Sequence, residues 1–218
     1  MKASSVILDA LKDMDNTGTL EAEKKMDLYA GKDIRMTADT HREENGQGHT
    51  TAISKRGAAS VTGKESSLTM TAGKDIHLQA ARISSAGDMT IAGKRQVELG
   101  TAVAEKDNRV TWDRSNDRRD STAMETGSTL TAGRNLTVEN GKEITDLEEH
   151  HRHKEKGLLS SKTTTTYDEV KRTDTTGSIV EGDTLTMTAG KDISLTGSVA
   201  ASTKETALSA GRNISIHA

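Results

Sequence analysis

Apolar and polar positions alternate along most of this chain in short bursts separated by a fixed polar break. The stretch TMTAGKDISLTGS (Thr186–Ser198), with Leu185 just before it, has Leu185 and Met187 leading into Ala-Gly-Lys-Asp and Ile193 and Leu195 following it, and TMTAGKDIHLQAA (Thr69–Ala81) is a close copy. Period two on both sides of the break predicts two short strands, each with one face inward, joined by a turn. Ala-Gly recurs with Gly31, Gly73, Gly87, Gly93, Gly133, Gly190 and Gly211. In five of these copies Lys or Arg and then Asp or Asn follow: Lys32-Asp33, Lys74-Asp75, Arg134-Asn135, Lys191-Asp192 and Arg212-Asn213. The Gly87 copy is one residue shorter and the Gly93 copy one residue longer before the apolar pair. Glycine supplies a φ > 0 position cheaply and Asp or Asn tolerates the same region, so these seven glycines are expected to be structural turns.

Spacing decides between a meander and a stack. Gly73 to Gly93 is 20 residues, Gly190 to Gly211 is 21, Gly31 to Gly73 is 42 and Gly93 to Gly133 is 40. A period near 20 is that of one coil of a β-helix, whereas a meander shows turn signals every 8–12 residues without a fixed phrase. The predicted fold is therefore an all-β parallel β-helix, a β-solenoid with coils of about 20 residues. Stacked phrases would form ladders at the ~4.8 Å strand spacing, with Ile34, Ile76, Leu136, Ile193 and Ile214 lining one interior row. Each coil can bury its apolar face only against its neighbours, which explains the repetition.

Composition agrees. Of 218 residues, Pro, Cys and Phe are absent and aromatics make up 1%, so the core must be thin and built from Leu, Ile, Val, Met and Ala. The absence of Cys excludes disulfides and thiolate metal sites. Net charge is −3 with both signs mixed, which gives no reason to expect a nucleic-acid partner. No apolar run approaches the ~18 residues of a membrane span, and MKASSVILDALKD lacks the features of a signal peptide. The whole of 1–218 reads as a single β-helix fragment of a longer protein.

Three polar segments interrupt the period, at about 40–66, 105–127 and 142–183, and are expected to be extruded β-hairpins or loops on one face. The third carries alternating Thr around Tyr167 and Val170, with HHRHKEKG at its tip. His150, His151 and His153 are candidate metal ligands, but they are nearly consecutive in a charged stretch and lack a spaced partner, so a solvated tip is the competing reading. Trp112 and Tyr167 are candidate interaction residues; a lone Trp in such a loop more often packs on the wall. His77 and His217 are expected to face outward. The basic row Lys32, Lys74, Lys94, Arg134, Lys191 and Arg212 could attract an acidic polymer, but the neighbouring Asp33, Asp75, Asn135, Asp192 and Asn213 would compensate it. No nucleophile elbow, P-loop, GxGxxG or converging carboxylate pair is present, so no catalytic residue and no cofactor is assigned. A β-helix enzyme acting on glycans is the weakest of the functional alternatives.

From GLLSSKTTTTYDEV (Gly157–Val170) into GDTLTMTAGKDISLTGSVA, the chain resembles the filamentous haemagglutinin-type repeats of two-partner secretion exoproteins. It is most similar to the second repeat block of CdiA-type contact-dependent growth-inhibition toxins. The AGKD/AGRN turns at Gly31, Gly73, Gly133, Gly190 and Gly211 and the insert EHHRHKEKGLLSSKTTTTYDEV carry the likeness. The resemblance implies a right-handed β-helix in a secreted, cell-surface filament of a Gram-negative bacterium, without catalytic residues in the repeats. The implied partners are an outer-membrane two-partner transporter during export and a target-cell outer membrane or surface receptor. It implies support for delivery of a C-terminal toxin to neighbouring bacteria; an adhesin segment binding a host receptor or glycan is the alternative. Exposed strand edges at the ends of such a fragment also predict end-to-end self-association.

Overall fold

A computed structural model of the chain describes residues 3–111, 117–140, 143–147 and 167–217. Among these the secondary structure is all β, with no helix and mostly parallel pairing. Numbering the strands in chain order, three parallel ladders account for most of them. The first holds the opening residues 19–22 of β3 (Thr19–Ala30), β7 (Ala58–Val61), β10 (Arg82–Ser85), β15 (Thr129–Ala132) and the openings of β19 (Ile179–Ala189) and β21 (Val199–Ala210). The second holds β1 (Ala3–Ala10), the rest of β3, β8 (Ser67–Ala72), β11 (Asp88–Gly93), β16 (Asn135–Asn140) and the rest of β19 and β21. The third holds β2 (Met14–Asn16), β4 (Ile34–Thr37), β9 (Asp75–Gln79), β12 (Gln96–Gly100), β17 (Glu143–Leu147), β20 (Asp192–Thr196) and β22 (Asn213–His217).

The chain visits the ladders in the same order each time, and each visit pairs with the one before. In hydrogen-bonded order, however, eight strands close into a ring, β3–β7–β10–β15–β19–β16–β11–β8 and back to β3. The closure has a local cause. β3 pairs with β7 through Thr19–Ala22 and with β8 through Lys25–Ala30, and β19 likewise serves two neighbours, so these two strands cross the corner between the first and second ladders without a break. β21 also runs through this corner, whereas Gly63, Gly87 or Gly133 interrupts the strand at the intervening levels.

Period-two alternation builds the interior. Met26, Leu68, Met89, Leu136 and Leu185 stack in one fully buried row, and Leu28, Met70, Ile91, Val138 and Met187 in the next. Ile34, Ile76, Val97 and Ile193 line the third ladder, also buried. Each such side chain contributes roughly 1.5–3 kcal/mol of transfer free energy, so continuity of the rows, not any single large residue, holds the stack. Outward positions carry β-branched hydroxyls in register, as in Thr69, Thr90, Thr137 and Thr186.

Two expectations are corrected. Leu136 does not share a row with Ile34 and Ile76. It pairs with Met89 and Leu185 in the second ladder, because the Gly133 turn lies at the same corner as Gly87, where Gly133 N donates to the Ser85 carbonyl at 2.8 Å. The turn phrase thus serves two different corners, and the 40-residue interval from Gly93 to Gly133 is not two whole levels. Nor are the turn glycines there for φ > 0: among the described residues only Ala80 (φ 49°) and Gly197 (φ 63°) lie in that region. What Gly31, Gly73, Gly87, Gly133 and Gly211 meet is the backbone of the adjacent level. A Cβ on Gly73 would run into the Gly31 carbonyl, and one on Gly133 into that of Ala86.

The remaining strands form a five-stranded side sheet, β18-β14-β13-β6-β5. β5 (Asp39–Asn45) and β6 (Gly48–Lys55) make one antiparallel hairpin, and β13 (Ala102–Thr111) and β14 (Asp117–Thr126) another. β6 pairs antiparallel with β13, and β18 (Tyr167–Thr176) runs parallel to β14. All leave the stack at the corner between the third and first ladders, after Thr37, Gly100 and Leu147, and rejoin it at Ala58, Thr129 and Ile179. The residues Ala58–Val61 and Ser67–Ala72 belong to the main ladders, so the first excursion is the hairpin 39–55. Ala80 and Gly197, the positive-φ residues, mark two of the three levels where this corner is turned without an excursion, the third being the Asn16–Thr19 turn.

Candidate interaction surfaces

The turn phrase acquires its chemistry from stacking. At the corner between the second and third ladders, each Asp carboxylate accepts a backbone N–H from the next level: Asp13 from Asp33 (3.3 Å), Asp33 from Asp75 (3.3 Å) and Asp192 from Asn213 (3.1 Å). A guanidinium then closes the other side. Arg95 holds Asp75 in a bidentate pair, with Nε to Oδ1 at 2.7 Å and Nη2 on Oδ2, and Arg212 holds Asp192 in the same way. At the neighbouring corner Arg134 Nη2 reaches Asp88 Oδ2 at 2.8 Å while Asn135 Nδ2 donates to Asp88 Oδ1 at 3.1 Å. Opposite charges thus compensate chiefly between levels, and within one phrase where Arg35 Nη2 meets Asp33 Oδ2 at 2.6 Å. The Arg95 hydrogen bond is the main reason the buried Asp75 carboxyl sits below the usual carboxylate range, overcoming the upward push of burial. Arg212 lowers the Asp192 carboxyl similarly, and Lys204 with Thr203 lowers that of Asp183.

On the third ladder's outer face His77 Nδ1 contacts Glu98 Oε2 at 2.7 Å, with Asp75 Oδ2 3.9 Å from Nε2. Among the described residues no three His, Asp or Glu side chains form a metal-holding group. His150, His151 and His153 and Trp112 lie outside the described residues; Tyr167 opens β18, opposite Asp117.

The side sheet carries an open groove of about 650 Å³ lined by Thr50–Ile53, Ala104–Lys106 and Thr122–Met124. Ala104 pairs with Met124, which is 54% exposed, and Lys106 pairs with both Thr50 and Thr122, giving a small apolar floor beside polar positions. The roots of the sheet are buried and polar. Arg56 donates through Nε to the Ala80 carbonyl (2.5 Å) and through Nη2 to that of Gly127 (2.8 Å), tying three successive levels together. Thr101 donates to the buried Glu125 at 2.5 Å, and Ser128 Oγ donates to the Leu78 or Gly100 carbonyl. Arg56 and Glu125 do not stand out in the sequence, since each lies off the repeated phrase; Arg95 lies in the longer Gly93 copy, one place beyond the expected Lys94, and its regular 20-residue offset from Asp75 is the signal that could have found it.

These features, a turn-locked stack of near-identical levels, suit repeats, and comparison with known proteins gives the same result. A family model described as hemagglutinin repeat matches residues 157–218. Over 250 aligned residues the chain is 25% identical to a "tRNA nuclease CdiA" of Escherichia coli (strain STEC_O31), covering 97% of this chain and 7% of that protein. Over 92 residues it is 36% identical to a "16S rRNA endonuclease CdiA" of Enterobacter cloacae subsp. cloacae, covering 40% of this chain and 3% of that protein. The chain is thus similar to the filamentous haemagglutinin-type repeat region of CdiA-like proteins. No solved structure matches it. It spans under a tenth of either CdiA relative, so nothing those names say about nuclease action extends to these repeats.

Proposed function

We propose that the three ladders are the walls of a right-handed parallel β-helix, and that the chain is a non-catalytic repeat segment of a secreted, cell-surface filamentous effector. Its role is to support delivery of a C-terminal toxin to neighbouring bacteria in contact-dependent growth inhibition. The observation that carries this reading is the likeness to a CdiA protein along 97% of the chain, joined to a register that repeats from level to level. A stack of this kind lengthens by adding levels without redesign, which suits a part that projects and connects. The carboxylates of the turn phrase are engaged in locking levels together, which speaks for structure over catalysis.

Export through an outer-membrane two-partner transporter is consistent with the absence of Pro and Cys, since neither prolyl isomerisation nor premature disulfides can then delay passage or folding outside. At the terminal levels Leu8 (38% exposed), Ile214 (46%) and Ile216 (63%), in register with the buried Leu28, Ile193 and Leu195, leave apolar edges for another level, which supports end-to-end association of the isolated piece. The adhesin reading is favoured by the side-sheet groove and its exposed Met124. The test is deletion of this block from the whole effector, with target-cell binding and toxin entry scored separately. Retained binding with lost entry supports delivery, loss of binding favours adhesion, and entry left intact overturns the proposal.

A further inference from the structure

The stacking that buries the turn carboxylates leaves something outside them. At the corner between the second and third ladders, Lys32 N donates to the Lys12 carbonyl, Lys74 N to that of Lys32 and Arg95 N to that of Lys74, each at 2.8 Å. Two levels at the far end repeat this, Arg212 N donating to the Lys191 carbonyl at 2.6 Å. The basic residue of each level therefore sits directly on that of the level before. This is not the row expected from the phrase alone: Lys94 falls one position earlier, opposite Gly73, and Arg134 belongs to the other corner.

We infer that this corner is a binding ridge for a linear anionic polysaccharide, one bearing a carboxylate or sulfate on successive sugars. Four features carry the inference. Lys12, Lys32, Lys74 and Arg95 are in single file at the strand spacing of ~4.8 Å, a rise set by the backbone, and Lys191 and Arg212 repeat that spacing at the far end. A fully extended sugar chain presents one acidic group per residue at a spacing of the same order. All six ridge cations are exposed, whereas Asp33, Asp75 and Asp192 turn partly or wholly inward, accepting or contacting backbone N–H groups and guanidinia. Arg95 and Arg212 are committed to those carboxylates, with Arg35 on Asp33 at 2.6 Å, which leaves the ammonium groups of Lys12, Lys32, Lys74 and Lys191 to face solvent. Lastly, Tyr29, 46% exposed and on the level of Lys32, offers a single aromatic face beside the ridge. Single-stranded nucleic acid is held by a succession of stacking aromatics, which this single tyrosine does not supply. The ridge is independent of the delivery role; it would be present in an adhesin as well.

The test is titration of the 218-residue chain with sodium alginate, dextran of matched length and double-stranded DNA of matched charge, by calorimetry at two salt concentrations. Alginate should bind, more weakly at higher salt, and dextran should not. The triple variant Lys12→Gln, Lys32→Gln, Lys74→Gln should bind alginate about tenfold or more weakly, with the log–log salt slope flattened by about one unit per lysine removed. The matched Lys→Arg triple should bind as the parent does. These lysines are exposed, so a circular dichroism melt unchanged in the Gln triple confirms that the fold is intact. Equal affinity of the Gln triple and the parent, dextran binding as well as alginate, or DNA binding as tightly as alginate would each overturn the inference.

Discussion

Replacing Arg95 with Met isolates what a locked turn contributes. Asp75 is 2% exposed, and Arg95 meets both of its oxygens from the next level. Hydrogen bonds to charged groups contribute about 1.5–3 kcal/mol when buried, and exposed ion pairs about 0–1. The Arg95 side chain is 55% exposed, so its half of the pair is screened, and the expected loss at pH 7 is about 1–2 kcal/mol. The sign of the pH dependence follows from the depressed carboxyl. Because Asp75 is held below its unfolded value of about 3.9, its stabilisation is complete above that pH and is lost as pH falls through the folded value. Urea denaturation followed by far-UV circular dichroism should therefore show the parent–variant gap at pH 7 and a narrowing gap toward pH 3. A double-mutant cycle with Asp75→Asn separates the pair from other groups titrating in that window: once the carboxylate is replaced, Arg95→Met should have little effect and a flat pH profile. An Arg95→Met loss as large at pH 3 as at pH 7, or undiminished when combined with Asp75→Asn, would show that the locked pair is not what stabilises this turn.

Other substitutions probe the remaining parts of the fold. Ile91→Ala opens a void in a fully buried row between Met70 and Val138 and should lower stability by about 2–5 kcal/mol in the same denaturation assay. Gly73→Ala forces a methyl against the Gly31 carbonyl, so a loss of about 1–3 kcal/mol is expected although φ there is ordinary. Gly197→Ala, at φ 63°, should lower the thermal midpoint through about 1–2 kcal/mol of left-handed strain. Arg56→Met orphans the Ala80 and Gly127 carbonyls and should raise hydrogen exchange first at the roots of β6 and β13, ahead of the ladders.

Much of this architecture is legible in the residues, and the reason is physical. Period-two apolar pairs can satisfy only a half-buried strand, and a constant interval between them can satisfy only a stack, so the all-β character and the parallel partners of Ile76 or Met187 follow from local pattern. What pattern does not carry is which corner a turn belongs to. Ala-Gly-Arg-Asn at Gly133 is written like Ala-Gly-Lys-Asp at Gly73, yet the first abuts Ala86 and the second Gly31, because the excursion at 102–126 resets the count between them. One misplaced corner moves Leu136 into the wrong row and Arg134 into the basic file, and the extra residue after Gly93 puts Lys94 there in place of Arg95. The glycine rule misled for a related reason: single-residue conformational preference suggests φ > 0, while the actual constraint is the backbone of a neighbour about 20 or more residues away. The partners of Arg56 lie 24 and 71 residues off, outside any local window.

Because every hairpin of the side sheet springs from one corner, the levels turned at Ala80 and Gly197 are vacant berths on the same rail. A loop spliced there would emerge between or beside existing hairpins without disturbing a buried row, and the tight backbone of those two residues would no longer be required. The molecule thus separates a frame that tolerates almost no change from a flank that can be rewritten one storey at a time, so new binding specificities can arise on it without refounding the column.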